Sequence, residues 1–206
     1  GAEAIGILRP DDLQYLWLPL SHSFGKMLAA VQLQIGFPTA VDGRVDRIVE
    51  NLAVVGPTIM AGPPRIFEKV HGRILQTMAE TGGIRSRLFS WGFDVGARAA
   101  AARADGRPMG RLLSLQLTVA DRLVLAKVRD RLGGRMRFMI SGSAALSPAI
   151  ATWFQTAGLT LIEGYGLTET GGGACIGDPE HPVAGVVGSP LVGSELGIAD
   201  DGEILL

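Results

Sequence analysis

The chain has 206 residues, of which 47% are hydrophobic and 19% charged, so it can bury the core of one large domain or two small ones. Its formal net charge of −1 gives no global field that would attract nucleic acid or anionic lipid, and no nucleic-acid partner is expected. No apolar run reaches the roughly 20 residues of a membrane-spanning helix, and residues 1–4 lack the basic start of a signal peptide. A lone cysteine, Cys175, favours a reducing compartment. The expected location is the cytoplasm, with a peripheral membrane contact left open.

The first third of the chain predicts a parallel βαβ unit. In order, the predicted elements are a strand at 15–18, a helix from 21 to 35, a strand at 37–41, a helix at 45–55 and a strand at 58–61. Ser21 or Ser23 would cap the first helix, because a hydroxyl before the first turn accepts a backbone N–H. Strand, helix and strand in close succession indicate a parallel sheet.

Three long helical patterns follow, with the last two longer than a minimal βαβ unit needs. They cover 64–78, 85–103 and 109–132, and each is bounded by glycine or proline. Their arginines are scattered among acidic residues and indicate a solvated face, not a nucleic-acid patch. An alanine-rich stretch near residue 100 could pack against a second copy, so a homodimer is left open.

A second βαβ unit is predicted from 137 to 162. A strand at 137–140 leads to a turn of small residues, Gly142, Ser143 and Ala144, against whose backbone a flat ligand could lie. Ser147 would cap the helix at 149–157, with Pro148 in its first turn. The apolar run 160–162 is the next buried strand.

The strand at 160–162 ends in the most informative stretch of the chain. Residues 163–170 read Glu-Gly-Tyr-Gly-Leu-Thr-Glu-Thr and are followed by three glycines. Tyr165 offers a flat face to a base, Thr168 a hydroxyl to a phosphate and Glu169 oxygens to a hard cation. Such a loop at the carboxyl edge of an α/β sheet is where these folds bind ligands. A glycine-rich turn capped by Thr-x-Glu is the competing structural interpretation.

The last part of the chain is predicted to be a small β-rich module. Short segments bounded by glycine end in a hairpin turn at 200–202 and a return strand at 203–205. His181 lies among acidic residues in a proline-flanked loop whose spacing fits no standard metal site. The predicted fold is therefore α/β, with parallel βαβ units, a helical excursion and a β-rich end. The predicted division is an α/β subdomain at 1–180, incomplete at its N-terminus, and the start of a β-rich subdomain at 181–206.

Residues 164–169 resemble the signature loop of the adenylate-forming enzymes, which include acyl-CoA synthetases, luciferases and peptide-synthetase adenylation domains. The segments 18–22 and 141–146 are similar to two further blocks of that family, although the family more often has proline near the position of Ala145. The segment 64–70 resembles the long-chain fatty acyl-CoA synthetases. The resemblance places the chain inside the N-terminal domain of such an enzyme.

The resemblance implies an ATP-dependent, AMP-forming ligase that activates a long-chain fatty acid and transfers it to coenzyme A. It implies catalytic roles for Thr168 on the α-phosphate and for Glu169 on Mg²⁺. The nucleotide contacts that it implies are Gly142, Ser143, Ala144, Glu163, Gly164, Tyr165, Gly166 and Thr168, with Tyr165 stacked on adenine. The fatty-acid contacts that it implies are His22, Met60, Gly62, Gly142 and Gly166.

The family's glycine- and serine-rich phosphate loop, ribose-binding aspartate and catalytic lysine are not found in these 206 residues. We therefore expect a piece of a longer protein with no turnover of its own. Two alternatives stay open at this point. One is a fatty acyl-AMP ligase or an amino-acid adenylation domain, and the other is a non-catalytic nucleotide- or acyl-binding module.

Overall fold

The computed structural model describes residues 6–206. The predictions that fall on residues 1–5, namely the absence of a signal peptide and the start of the first subdomain, lie outside this range. No helix within 6–206 has both the length and the apolar character needed to cross a bilayer.

Seven strands form one sheet in the order β2-β1-β3-β4-β5-β6-β7, and two more form a separate hairpin. The strands are β1 Gln14–Leu16, β2 Thr39–Val41, β3 Ile59–Gly62, β4 Phe138–Ser141, β5 Thr160–Tyr165, β6 Cys175–Ile176, β7 Ser189–Pro190, β8 Gly197–Ile198 and β9 Ile204–Leu205. β1 to β5 pair in parallel, whereas β6 and β7 add antiparallel strands beside β5. The mostly parallel α/β fold is confirmed.

The helices connect the parallel strands and cover both faces of the sheet. They are α1 Ser23–Ile35, α2 Ile48–Val55, α3 Pro64–Thr81, α4 Gly83–Ala104, α5 Arg111–Ala120, α6 Ala126–Arg131 and α7 Pro148–Thr156, with a 3₁₀ turn at Val45–Arg47. A π-helical turn, Asp121–Leu125, joins α5 to α6, so the single helix predicted at 109–132 is interrupted. Two predicted caps differ as well. His22, not a serine, is the N-cap of α1, and Ser147 occupies the N-cap of α7 without a side-chain hydrogen bond.

Alternate residues of each central strand pack on opposite faces of the sheet, as the two-residue period of a strand requires. On one face, Tyr15 and Met60 belong to the main core under α2, α3, α6 and α7. On the other face, Leu16 and Ala61 pack against Phe24 of α1. The central strands are therefore buried on both sides, which explains their continuous apolar runs.

A buried ion pair ties together the amino ends of β1, β3 and β4. The Asp12 side chain is 1% exposed and accepts hydrogen bonds from Arg137 Nη1 at 2.6 and 2.5 Å, from Thr58 Oγ1 at 2.7 Å and from the Arg9 backbone N–H at 2.8 Å. Burial raises the pKa of Asp12, but the hydrogen bonds from Arg137 and Thr58 lower it by more, so the net pKa lies below the ordinary value of 3.8. This pair fixes where the three strands begin.

The separate hairpin forms where the glycine pattern predicted it. β8 and β9 pair antiparallel around the turn at 200–202, with the Ala199 N–H donating to the Glu203 carbonyl at 2.9 Å. β7, which also lies beyond residue 180, pairs with β6 in the main sheet. The division at residue 180 stays a prediction.

We predict that Asp12→Asn lowers the free energy of unfolding by about 3 kcal/mol, because it leaves the Arg137 guanidinium partly buried without its counter-charge. Since folding lowers the pKa of Asp12, its contribution is complete above 3.8 and is lost as pH falls through the folded-state value. Urea denaturation of the two proteins between pH 7 and pH 3 measures this, and their difference should shrink on acidification. Asp11→Asn, at the exposed neighbouring position, is the matched control. A difference independent of pH would contradict the assignment to the Asp12 charge.

Candidate functional site

A cleft of about 300 Å³ opens at the carboxyl ends of β4 and β5, beside the first turn of α1. Three segments supply most of its walls: the N-terminal end of α1, the turn after β4 and the loop between β5 and β6. The residues that line it are His22, Ser23, Phe24, Met27, Ile140, Gly142, Ser143, Gly164, Tyr165, Gly166, Leu167, Thr168, Glu169, Gly172, Gly173, Cys175, Ile176 and Leu191. Most of the predicted site residues therefore meet in one place.

β5 reaches further into this cleft than its apolar run predicts. The sequence indicated a strand ending near residue 162, but pairing with β6 extends it to Tyr165, opposite Cys175. The Tyr165 carbonyl accepts the Ala174 N–H at 2.8 Å, and the Glu163 carbonyl accepts the Gly177 N–H at 2.8 Å. The half-buried Tyr165 ring thus stands on a hydrogen-bonded strand, not on a free loop.

The loop after Tyr165 is a compact turn closed by its own hydrogen bonds. The Leu167 carbonyl accepts from the Gly172 N–H at 2.9 Å, and the Thr170 hydroxyl accepts from the Leu167 N–H at 2.9 Å. Gly166 has no room for a side chain, since a Cβ there would lie 2.6 Å from the Gly173 Cα. The glycine is thus required by the close approach of two backbone segments.

The Glu163 carboxylate holds two neighbouring loops against β5. It is 6% exposed, and its Oε2 accepts the Leu146 N–H at 3.2 Å while its Oε1 accepts the Gly185 N–H at 2.9 Å. The first donor precedes α7 and the second lies between β6 and β7. Glu163 was predicted to contribute backbone atoms to a nucleotide site, and the structure adds this bracing role for its side chain.

The turn after β4 forms the opposite wall. Ser143 adopts φ +68°, and it is the sole non-glycine residue with positive φ within 6–206. Such strained backbone is often held at ligand sites. A Cβ on Gly142 would come within 3.2 Å of the Phe24 ring, so the turn passes close to α1. Ala144 follows on the exposed outer side and does not line the cleft.

The N-terminal end of α1 faces the cleft with its polar groups. His22 Nδ1 accepts the Phe24 N–H at 3.2 Å, which places the ring proton on Nε2 in the neutral form. The first turn of this 13-residue helix has no acidic side chain, so the positive end of its dipole is not neutralised there. The Ser23 and Thr168 hydroxyls lie 3.4 Å apart and join the helix to the loop. This wall favours an anionic ligand.

Glu169 supplies the single exposed carboxylate among the lining residues. It makes no ion pair or hydrogen bond with any other residue of 6–206, and this range holds no cluster of three or more His, Cys, Asp or Glu side chains placed for a metal. Mg²⁺ usually keeps several waters and takes one or two carboxylates together with substrate phosphates. One free carboxylate at the mouth of the cleft fits a magnesium ion that arrives with a nucleotide.

Two predicted fatty-acid contacts lie elsewhere. Met60 is 2% exposed in the main core, on the other face of the sheet. Gly62 faces the Trp17 ring, which a Cβ would meet at 2.7 Å, although its carbonyl accepts the Gly142 N–H at 3.1 Å. Neither residue lines the cleft. Their assignment to the acyl pocket stays a prediction.

Sequence reasoning missed several lining residues. Ser23, Phe24 and Met27 follow His22 by one, two and five residues in the first turns of α1, and no helical spacing from His22 indicates them. Cys175 gave no signal either, since its strand has only two residues. Burial raises the pKa of the Cys175 thiol, which favours its neutral form, and the residue lies opposite Tyr165 on β6.

Comparison with known proteins gives consistent results. The family model for AMP-binding enzymes matches residues 2–205. The long-chain-fatty-acid–CoA ligase FadD15 of Mycobacterium bovis is 35% identical over 200 residues, which is 97% of this chain and 33% of that protein. Fatty acyl-CoA synthetase A of Dictyostelium discoideum is 32% identical over 196 residues, which is 93% of this chain and 27% of that protein. The chain spans about a third of the length of these relatives.

The fold has a counterpart among solved structures. The N-terminal domain of FACL13 from Mycobacterium tuberculosis superposes with a TM-score of 0.58 at 15% identity, covering 97% of this chain and 39% of that one. At this identity the likeness concerns the fold alone. The match of the family model over nearly the whole chain decides the classification: this chain belongs to the AMP-binding enzyme family.

Proposed function

We propose that the protein carrying this sequence activates a long-chain fatty acid with ATP and transfers the acyl group to coenzyme A. The observation that carries the proposal is the meeting of Tyr165, Thr168, Glu169 and His22 in one cleft of an AMP-binding family member. The names of the relatives, which are fatty acid–CoA ligases, support the choice of substrate and acceptor.

In the first half-reaction, a fatty carboxylate oxygen attacks the α-phosphorus of ATP. A carboxylate-to-phosphorus bond forms, the bond between the α- and β-phosphates breaks, and pyrophosphate leaves with the electron pair. Tyr165 would stack on adenine, with the backbone of Glu163 and Gly164 at the edge of the base and the turn at Gly142 and Ser143 as the opposite wall. The contact of Ala144, which lies outside the cleft lining, stays a prediction. The Thr168 hydroxyl would donate to the α-phosphate as its charge increases.

His22 would orient the attacking carboxylate. Because Nδ1 is engaged by the Phe24 N–H, the Nε2–H is the group that can donate to a carboxylate oxygen. The uncompensated end of α1 adds a favourable field for the same anion. Gly142 and Gly166, which line the cleft, are proposed to contact the fatty acid through their backbones. Met60 and Gly62 keep their proposed place beside the alkyl chain, although Met60 is buried in the main core.

Mg²⁺, held by Glu169 and the phosphates, would neutralise charge that develops on the phosphate oxygens when it is bound. In the second half-reaction, the coenzyme A thiol gives its proton to solvent and its sulfur bonds to the acyl carbonyl carbon. The bond from that carbon to the phosphate oxygen breaks, and AMP leaves with the electron pair. We further propose a cytoplasmic location, which the free thiol of Cys175 supports. A homodimer also stays a proposal.

Substrate assays on the complete polypeptide that carries this sequence test the function. We expect pyrophosphate release that depends on a long-chain fatty acid and ATP, and a thioester product when coenzyme A is added. Faster pyrophosphate release with amino acids would favour an adenylation domain. Nucleotide binding without any release would indicate a non-catalytic module and contradict the proposal.

We predict that the Tyr165 ring contributes to the binding affinity for adenine nucleotides. Tyr165→Ala should weaken AMP binding about tenfold, since stacking of a base on an aromatic side chain contributes roughly 1–3 kcal/mol. Tyr165→Phe keeps the stacking face and is the matched control, with affinity close to that of the unchanged protein. Titration calorimetry with AMP measures both. Equal losses for the two variants would assign the effect to the hydroxyl and contradict stacking.

Glu169→Gln is predicted to lower kcat/KM for ATP by about a hundredfold, because the amide cannot neutralise part of the charge on Mg²⁺. The Mg²⁺ concentration for half-maximal activity should rise as well, and this is the readout that a purely structural role would leave unchanged. Glu180→Gln, at an exposed carboxylate outside the cleft, is the control. An unchanged Mg²⁺ dependence in Glu169→Gln would remove Glu169 from the metal site.

A further inference from the structure

A second cavity, of about 410 Å³, lies between α3, α4 and the segment formed by the π turn and α6. We call it the helical groove. Its floor is apolar and includes Ile74, Phe89, Val124 and Val128. It shares no lining residue with the cleft at β5, so it is a separate feature of the helical excursion.

The rim of the helical groove is positively charged. Arg85, Lys127 and Arg131 line it, and no aspartate or glutamate does. Lys127 and Arg131 are four residues apart and share one side of α6. Within residues 6–206, none of these three cations forms an ion pair, although six ion pairs form elsewhere in that range. The groove thus presents uncompensated positive charge beside an apolar surface.

The π turn Asp121–Leu125 contributes directly to this groove through Leu123 and Val124. Arg129 stabilises the turn, because its Nη1 and Nη2 donate to the Asp121 carboxylate at 2.8 and 2.9 Å and Nη1 also donates to the Ala157 carbonyl at 2.9 Å. π turns inside helices are frequent at functional sites. Here the turn places Val124 in the floor while leaving Leu123 40% exposed at the edge.

We propose that the helical groove binds an anionic amphiphile, with one alkyl chain on the apolar floor and the anionic head group at Arg85, Lys127 and Arg131. The cationic rim favours an anionic head group, and the apolar floor favours an alkyl tail. The proposal does not depend on the reaction at the β5 cleft. The same chemistry is offered by a free fatty anion and by a lipid in an anionic bilayer.

One further observation favours a bilayer as the source of the amphiphile. α5, which the π turn joins to α6, carries Leu112, Leu115 and Val119, which are 70%, 64% and 41% exposed and recur every three to four residues. An exposed apolar stripe on the helix that precedes the cationic segment would suit a lipid surface. The experiment therefore has a monomer arm and a vesicle arm.

In the monomer arm, calorimetry with dodecylphosphonate below its aggregation concentration measures binding to the complete polypeptide. The double variant Lys127→Glu/Arg131→Glu should bind dodecylphosphonate at least about tenfold more weakly, a loss of about 1.4 kcal/mol in binding free energy. Thr77→Trp, which fills the groove without changing charge, should show a similar loss. Arg87→Glu/Arg122→Glu, two exposed arginines outside the groove, makes the same charge change and should bind normally. Dodecanol, which lacks the anion, should bind more weakly than dodecylphosphonate.

In the vesicle arm, flotation with phosphatidylglycerol and phosphatidylcholine vesicles identifies the source. Binding of the monomer without vesicle binding supports a free amphiphile. Flotation with phosphatidylglycerol alone that is lost in both groove variants supports a lipid. Unchanged monomer binding by the folded groove variants, or equal losses in the control double variant, would overturn the proposal.

Discussion

The Glu163 carboxylate is the contact on which the cleft depends. It is a buried acceptor with two backbone N–H partners, one from the turn before α7 and one from the loop between β6 and β7. Hydrogen bonds to a charged group contribute roughly 1.5–3 kcal/mol each, and a buried carboxylate without them would be costly. Since Glu163 lies two residues before Tyr165, this contact sets the position of the ring relative to both loops.

The cleft has a rigid part and an exposed part. Tyr165 stands at the end of β5, where it pairs with Cys175 of β6, and Gly166 brings two backbone segments together where no side chain would fit. Thr168 and Glu169 lie on the exposed turn that follows. A flat base would thus meet a fixed surface, while phosphates and a hydrated ion would meet groups that can adjust.

Much of this could be predicted from the sequence, because strong local patterns specify it. The apolar runs predicted the central strands, and the glycine-rich octapeptide predicted the cleft. The missed features have a different origin. The two-residue strand at Cys175 is too short to show a period, and the Asp12–Arg137 pair joins residues 125 positions apart. The N-cap of α1 was missed because a histidine nitrogen takes the place of the expected serine oxygen.

The arginines of the helical excursion show how folding changes what a charge pattern means. Spread along the chain among acidic residues, they predict a solvated face, and a net charge of −1 predicts no general attraction for anions. The fold nevertheless brings Arg85 of α4 to Lys127 and Arg131 of α6, and no aspartate or glutamate lines the groove with them. Screening limits a charge to its surroundings within about 10 Å at ordinary ionic strength. A local cationic rim over an apolar floor can therefore select an anionic amphiphile in a protein whose overall charge is close to zero.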